Sequence, residues 1–515
     1  MTKQRLTPVD TVVLRAEDPA NPMMVTGVMI FGEPIVFERL KKTIESRLLH
    51  FAPFRQRVVQ PRLPWSMPYW EDAPSFDLGY HLRRVALPPP GGQAGLQDIV
   101  SQLASTPLDF SRPLWQLHLV ENYSHDLTGS SQDAPVHAGC ALVCRLHHSL
   151  ADGVAAVHLL LSLADTDLRA SAPARPPEHQ HKMGKSVGPS YTGLGAGYRI
   201  ATRLAGESLS LLTHPRRIAE LTRTGAEAVT TLGGLLLAPP DSNPVLRGEL
   251  SVTKRAAWSE PISLGDVKTV GRRLGGTVND VLLTAMTGAL RRYLEGREES
   301  PQVTGIRAAV PVDLRPPGAE GELGNQIGFV FLSLPVDVAD PADRLRELRR
   351  RMDRHKDSPE APLSLAMLKV LGLTPPSVQA VLVNFLGTKA TTLMTNVIGP
   401  RQPLYLAGAP LETLMFWVPL AGGVGVGVSI LSYAGQVRLG VLTDVGLVPD
   451  PEVIITGFHA EFGALLSVAQ EVGDPPSIRE LFARLDDTLV TLNAILNDGA
   501  AKPEPTGGEA SGTPQ

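Results

Sequence analysis

Between residues 140 and 163 two apolar runs of different period meet at a short polar joint, Arg145-Leu146-His147-His148-Ser149-Leu150-Ala151-Asp152-Gly153. In the first run Cys140, Leu142, Cys144, Leu146 and His148 alternate with their neighbours, which predicts a strand with Arg145 and His147 on its other face. In the second run Val154, Val157, Leu160 and Leu161 have helical spacing, and Asp152-Gly153 sits where an N-cap and first turn belong. Two imidazoles therefore stand at the end of a buried strand with a carboxylate one turn away, a suitable place for a base. A histidine at a strand end is commonly a hydrogen-bonded structural residue, and Asp-Gly is commonly just a turn. Histidine is also the commonest metal ligand, but adjacent histidines on a strand point to opposite faces and do not easily share one ion. The other close pair, His179 and His181, lies in a Pro-rich stretch without cysteine partners, so no metal is expected. The fixed pattern HHxxxDG arises by accident in roughly one chain of this length per thousand, which favours a functional reading.

At 515 residues the chain exceeds one ordinary core, and two domains plus connections are expected. A content of 43% hydrophobic and 19% charged residues describes a globular protein, and a formal net charge of −4 argues against a nucleic-acid partner. Cys140 and Cys144, the two cysteines, lie on one predicted strand about 13 Å apart, too far to bridge. A reducing, cytoplasmic location fits. The first ten residues have no apolar signal core, and no stretch offers about 20 uninterrupted apolar residues, so membrane contact is expected only at the surface.

Along the chain, Leu6-Thr7-Pro8-Val9-Asp10 opens a short helix, 25–31 reads as a strand, and 37–49 as an amphipathic helix. The Pro-, Arg- and Trp-rich segment 53–70 reads as an ordered loop with short strands. A helix at 93–105 is followed by Pro113-Leu114-Trp115 and a strand at 116–121. That strand can pair with 140–148 in a hairpin and bring His118 to the same sheet. A polar insert covers 124–136. Residues 165–190, rich in Pro, Ala and His, read as a mobile crossing between halves. In 197–237 leucines are interleaved with Arg199, Arg203, Arg216, Arg217 and Arg223, with a break at Pro215. This is a helix pair with a solvated basic face, or an amphipathic surface for anionic lipid.

The second half begins with Arg255-Ala256-Ala257-Trp258 and a helix at 264–274, after which residues 275–280 cap a long apolar helix to about residue 294. Strands are expected at 308–314, 329–336 and up to Thr395-Asn396-Val397-Ile398-Gly399-Pro400. The Arg-rich helix 342–356 reads as a solvated face. Gly422-Gly423-Val424-Gly425-Val426-Gly427 superficially resembles a dinucleotide loop, but a strand follows instead of the helix that would receive a pyrophosphate, and no nucleotide is expected. The strands 428–433 and 436–442 form a hairpin, and helices follow at 450–466 and 476–496.

With these residues in place the chain resembles the bacterial wax ester synthase/acyl-CoA:diacylglycerol acyltransferases, from Leu6 to about residue 496. The resemblance rests on the Leu6-to-Asp10 opening, Asn21-Pro22-Met23, Pro113-Leu114-Trp115, His147 to Gly153, Asn279-Asp280, Pro311 to Arg315, Leu323-Gly324-Asn325, Thr395 to Pro400 and Ser432-Tyr433-Ala434-Gly435. The insert 124–136 departs from the family, as does Ala434 where Asn is common. The resemblance implies an α/β fold of mixed sheets, in two chloramphenicol-acetyltransferase-like halves with a tunnel at their interface. On this reading 1–165 is the half carrying HHxxxDG, 166–250 a linker with basic amphipathic helices, 251–497 the other half, and 498–515 a disordered tail.

The resemblance also implies O-acyl transfer from acyl-CoA, a co-substrate, to diacylglycerol or a long-chain alcohol, with no cofactor. The site would be cytoplasmic, with peripheral contact at the inner membrane or a lipid droplet. His148 is the expected general base, taking the acceptor hydroxyl proton and returning it to the departing sulfur. Asp152 is expected to hold the loop, through a cap or an arginine pair, and Gly153 to permit tight entry into the helix. His147 orients its neighbour or fills space. Asn279 is a candidate donor to the oxyanion, or else Asn279 or Asp280 is a helix N-cap. Pro113-Leu114-Trp115 is expected to support the tunnel wall. Ser149 lacks a G-x-S-x-G surround and is not expected to be a nucleophile; neither cysteine is. The competing classes are a non-catalytic lipid-surface protein and an acyltransferase dependent on a carrier protein, the latter weakened by the absence of an adjoining carrier domain.

Overall fold

The structure, a computed structural model, describes residues 3–63, 66–124, 138–167, 240–241, 245–300, 305–316, 324–356, 358–472 and 488–492. The insert 124–136, the crossing 165–190, the basic segment 197–237, the helix expected at 476–496 and the tail lie wholly or largely outside the described residues.

Met24–Phe31 (MVTGVMIF) is apolar on both faces and buried along its whole length, as a central strand must be. It pairs antiparallel with Ala138–His147, so that Met24 stands opposite His147, and the latter strand pairs in turn with Trp115–Ser124 in the expected hairpin. The full sheet runs Tyr405–Leu406, Ala409–Trp417, Met24–Phe31, Ala138–His147, Trp115–Ser124, Leu82–Ala86. Helices Gln93–Ser105 and Gly153–Ser162 join its core through Leu96, Val100, Leu159 and Leu160.

A second mixed sheet runs Ile327–Leu334, Ile306–Asp313, Thr392–Ile398, Val426–Tyr433, Gln436–Asp444, Lys254–Trp258, with Ile262–Ser263 also on Gln436–Asp444. The hairpin after the glycine run turns at Ala434 and Gly435, both left-handed with φ of 47° and 81°, the backbone that a two-residue turn demands. Leu264–Leu274, Val278–Gly296, Pro341–Lys356 and Pro451–Val472 share a core with this sheet through Val267, Leu290, Leu348, Ile454, Phe458 and Leu439. Pro451–Val472 is long and apolar enough to cross a membrane by length and composition, yet Ile454, Phe458, Glu461 and Leu465 are buried against the protein.

Three of the elements that periodicity did not reveal bear on how the site is closed. Helices Glu360–Leu371 and Pro376–Gly387 are apolar around most of their circumference and offer little amphipathic contrast. In Ala409–Trp417 a register shift between Leu411 and Thr413 breaks the alternation. All three tie the ends of the chain together. Ala409–Trp417, far along the sequence, completes the first sheet beside Met24–Phe31, and helix Pro8–Arg15 packs on both apolar helices. The division 1–165 and 251–497 along the chain therefore exchanges a strand and a helix contact in space.

The arginine helix departs from the solvated face expected of it. Arg346 and Arg350 are exposed, but Arg344 is buried, pairing with the buried Glu461 and donating to the carbonyls of Val338 and Ala339. Removing one partner strands a charge away from water, so Glu461→Ala is expected to lower unfolding free energy by about 3–5 kcal/mol, read by urea titration. An unchanged midpoint would show that Arg344 finds water or another acceptor.

Candidate active site

Strand pairing ends at His147, and the backbone then turns. The His148 N–H donates to the carbonyl of Met23 (2.7 Å), and the His148 carbonyl accepts from Asn325 Nδ2 (2.8 Å). The two imidazoles diverge. His147 is enclosed, its Nδ1 accepting from the Ser149 N–H (3.1 Å) with Ser149 Oγ at 2.7 Å, which leaves Nε2 as the protonated nitrogen. Glu17 lies 3.4 Å from that nitrogen, and Phe110 meets the ring edge-on at a centroid distance of 5.6 Å. Ser149 thus belongs to His147 and not to His148.

His148 faces a cavity of about 720 Å³. Its walls come from helix Pro8–Arg15 (Val9, Val12), the second sheet (Val310, Phe329) and the two apolar helices (Leu368, Leu386). His148 Nδ1 has no hydrogen-bond partner among the described residues. Burial pushes the His148 pKa down from 6.5, against the Asp152 carboxylate, which pulls it up; His147 adds to the depression, and the carbonyl of His148 and Asn325 oppose it. The lowered value makes this imidazole neutral at neutral pH, in the protonation state that accepts a proton.

Asp152 is completely buried and serves two purposes. Oδ1 accepts the Ala155 N–H (2.9 Å) as the N-cap of Gly153–Ser162, while Oδ2 accepts from Arg315 Nη2 (2.6 Å) and from the Gln326 N–H (3.3 Å). Arg315 also donates to Asp313 (3.0 Å) and to the carbonyl of Gly324 (2.6 Å). Asn325 donates from both its backbone N–H and Nδ2 to Asp10 Oδ1 (3.1 and 2.7 Å), while Asp10 Oδ2 accepts from the hydroxyl of Thr7, the N-cap that in turn accepts the Asp10 N–H. Asp10, Arg315 and Asn325 were quoted in sequence motifs but carried no assigned role there. Their signal was only that of polar residues beside apolar runs, and pairings across 163 to 315 positions cannot be read from spacing.

Several expectations change. Helix Val278–Gly296 is capped by Thr277, with Asp280 reciprocating from N3 in a capping box, so neither Asn279 nor Asp280 is the N-cap. Asn279 lines the cavity instead, its Oδ1 accepting from Asn396 Nδ2 (3.0 Å), which directs its own amide N–H groups elsewhere. Gly153 also lines the cavity, and a Cβ there would meet Val418 and Phe416 at ordinary contact distances of 3.6 and 3.7 Å. A tight turn therefore does not require this glycine. Pro113-Leu114-Trp115 does not line the cavity. Trp115 is buried at the start of a strand of the first sheet, donating to the Phe54 carbonyl (2.9 Å) and stacked on His81, and the Leu114 carbonyl accepts the His147 N–H. Those residues brace the strand that ends at the histidines. His118 lies outside the cavity, its pKa driven down to about 4 by burial and by Arg145. Cys140 and Cys144 are free and buried, and burial raises both thiol pKa values, Cys140 to about 11.

The arrangement joins a neutral imidazole, side-chain amides and an apolar space, suited to removing a hydroxyl proton beside a greasy substrate. The pattern of the wax ester synthase/diacylglycerol acyltransferase catalytic domain matches residues 6–282, and that of the WS/DGAT C-terminal domain matches 323–466. A probable diacylglycerol O-acyltransferase of Mycobacterium tuberculosis (strain ATCC 25618 / H37Rv) is 29% identical over 472 residues, 90% of this chain and 96% of that one. Among solved structures, the wax ester synthase/diacylglycerol acyltransferase from Marinobacter aquaeolei VT8 superposes with a TM-score of 0.62 at 23% identity, covering 91% of this chain and all of that one. The first condensation domain of the calcium-dependent antibiotic synthetase shares the fold at a TM-score of 0.57 and 15% identity, covering 91% and 96%. The chain belongs to the wax ester synthase/diacylglycerol acyltransferase family.

Proposed function

We propose that this acyltransferase moves a fatty acyl group from acyl-CoA to the hydroxyl of diacylglycerol or of a long-chain alcohol, with His148 as general base. One observation carries the assignment: the neutral His148 ring opens on an apolar cavity of about 720 Å³, a volume that suits a lipid-sized ligand. The acceptor oxygen attacks the thioester carbonyl carbon as its proton passes to the imidazole. The tetrahedral intermediate then expels the CoA thiolate, which takes the proton back from the imidazolium. The acyl carbon exchanges a C–S bond for a C–O bond, and no covalent enzyme intermediate or cofactor is needed. Asn279, braced by Asn396, is the proposed donor to the oxyanion. Asn325 and Asp152 act as positioning residues, the former on the His148 peptide and the latter on the loop that follows. The proposed location is cytoplasmic. A non-catalytic lipid binder would have no use for a buried imidazole kept neutral beside paired amides.

With labelled palmitoyl-CoA, and with hexadecanol and diacylglycerol offered side by side, His148→Ala is expected to reduce kcat by roughly 10²–10⁴-fold. Its thermal unfolding should stay unchanged, and retained turnover would remove the base assignment. The neutral imidazole is the active form, so activity is lost as pH falls through its pKa. Because that pKa is depressed, the acid limb of kcat/KM is expected to have its midpoint below 6.5, and a midpoint above 6.5 would contradict the environment described. Asn325→Ala is expected to lower kcat by about 10-fold or more with a much smaller change in KM, because Asn325, although it lines the cavity, acts mainly by holding the His148 peptide. A change confined to KM would place Asn325 in binding.

A further inference from the structure

Helix Pro376–Gly387 is built inside out. Among its residues only the polar Gln379 is buried, its Nε2 donating to the Thr374 carbonyl (2.9 Å), while Val378, Val381 and Leu382 are 42%, 68% and 36% exposed. Val370 and Leu373, from the end of the preceding helix and its turn, add 56% and 52% exposure to the same region. Positions 378, 381, 382 and 385 fall on one helical face, whereas 379, 383 and 386 fall on another. The second face looks inward: Val383 and Leu386 line the cavity that holds His148. One helix thus separates the acyl-sized cavity from the outside with apolar side chains on both surfaces.

We infer that the outer face of Pro376–Gly387, with Val370 and Leu373, rests on a lipid surface, from which the lipid acceptor reaches the cavity. The inference builds on the proposed lipid substrate. Two features of the patch select lipid over a protein partner. No charged side chain occurs from residue 370 to 388, and Lys389, whose ammonium lies 4.2 Å from the Phe385 ring centroid, is itself buried, so the outer face carries no charge of its own for an ion pair with a partner. The patch also adjoins, through a single helix, the cavity in which a water-insoluble substrate must arrive. Cationic groups lie at its margin. Lys369 directly precedes it, and the Arg15 guanidinium links the carbonyls of Thr374 (3.3 Å) and Ser66 (3.0 Å), bringing alongside the loop that carries Arg62 and the 52%-exposed Leu63. A helix of 12 residues is about 18 Å long, too short to cross a bilayer core of about 30 Å and suited to lying in its interface.

The test uses the full chain and vesicles of phosphatidylcholine with one quarter phosphatidylglycerol. Both native cysteines are buried, so Val381→Cys places a single accessible thiol on the patch for an environment-sensitive fluorophore. The expected result is a blue shift on adding vesicles and co-flotation of the unlabelled protein. The double variant Leu373→Glu/Val381→Glu should float at least about tenfold less. It should keep wild-type turnover on a detergent-dispersed medium-chain alcohol and lose turnover on vesicle-embedded diacylglycerol. Equal flotation of wild type and double variant would overturn the inference. So would a label already shielded without lipid, through self-association seen by sedimentation or through cover by the chain itself. Flotation that depends on the patch in a protein without acyl transfer to any acceptor would leave the docking surface standing and remove the proposed reaction.

Discussion

The pair between Asp152 and Arg315, both nearly inaccessible to water, connects the loop that follows His148 to the end of a strand in the other sheet. Two charges removed from water gain little net stability from each other, because their desolvation offsets most of the attraction. Such a pair specifies geometry. Asp152 has its other oxygen on the Ala155 N–H, and Arg315 also donates from Nη1 to Asp313 and from Nη2 to the Gly324 carbonyl. Every displacement of the loop against the second sheet therefore leaves a buried charge short of a partner.

A parallel set of contacts fixes the base itself. The His148 peptide is gripped on both sides, by Met23 through its N–H and by Asn325 through its carbonyl, and Asn325 is anchored on Asp10. These contacts hold the backbone, and the ring is left to the cavity. An imidazole bound at both nitrogens by strong acceptors would have been stabilised as the cation. Here burial dominates, lowers the pKa and leaves the ring unprotonated, free to accept the substrate's proton. The Asp152 charge limits the depression and would stabilise the imidazolium once formed.

Part of the cavity wall consists of apolar helices, and Pro376–Gly387 carries apolar side chains on both its inner and its outer surface. Glu360–Leu371 and Pro376–Gly387 sit between cavity and exterior, and helix Pro8–Arg15 packs against both. Because the chain's beginning and its late helices meet here, the site closes only when both halves are folded. The strand Ala409–Trp417 reinforces that dependence by completing the first sheet.

Much of this was legible in the chain. The helix Gln93–Ser105, the helix Leu264–Leu274 and the strand leading to His147 follow from periods of 3.6 and 2 that local sterics impose, and the Asp152 cap follows from side-chain chemistry within one turn. HHxxxDG, with the motifs around it, was enough to indicate the acyltransferase class. Tertiary structure decided what depends on contacts between distant residues. It gave Asp152 its arginine, Asn325 its place beneath His148, and Arg344 a buried partner in a helix that reads as solvated. It also turned an apolar helix outward, which composition alone would have placed inside. The physical reason is the same throughout: local pattern encodes which way a residue points along its own element, whereas burial, pKa and pairing are set by what other elements bring to it.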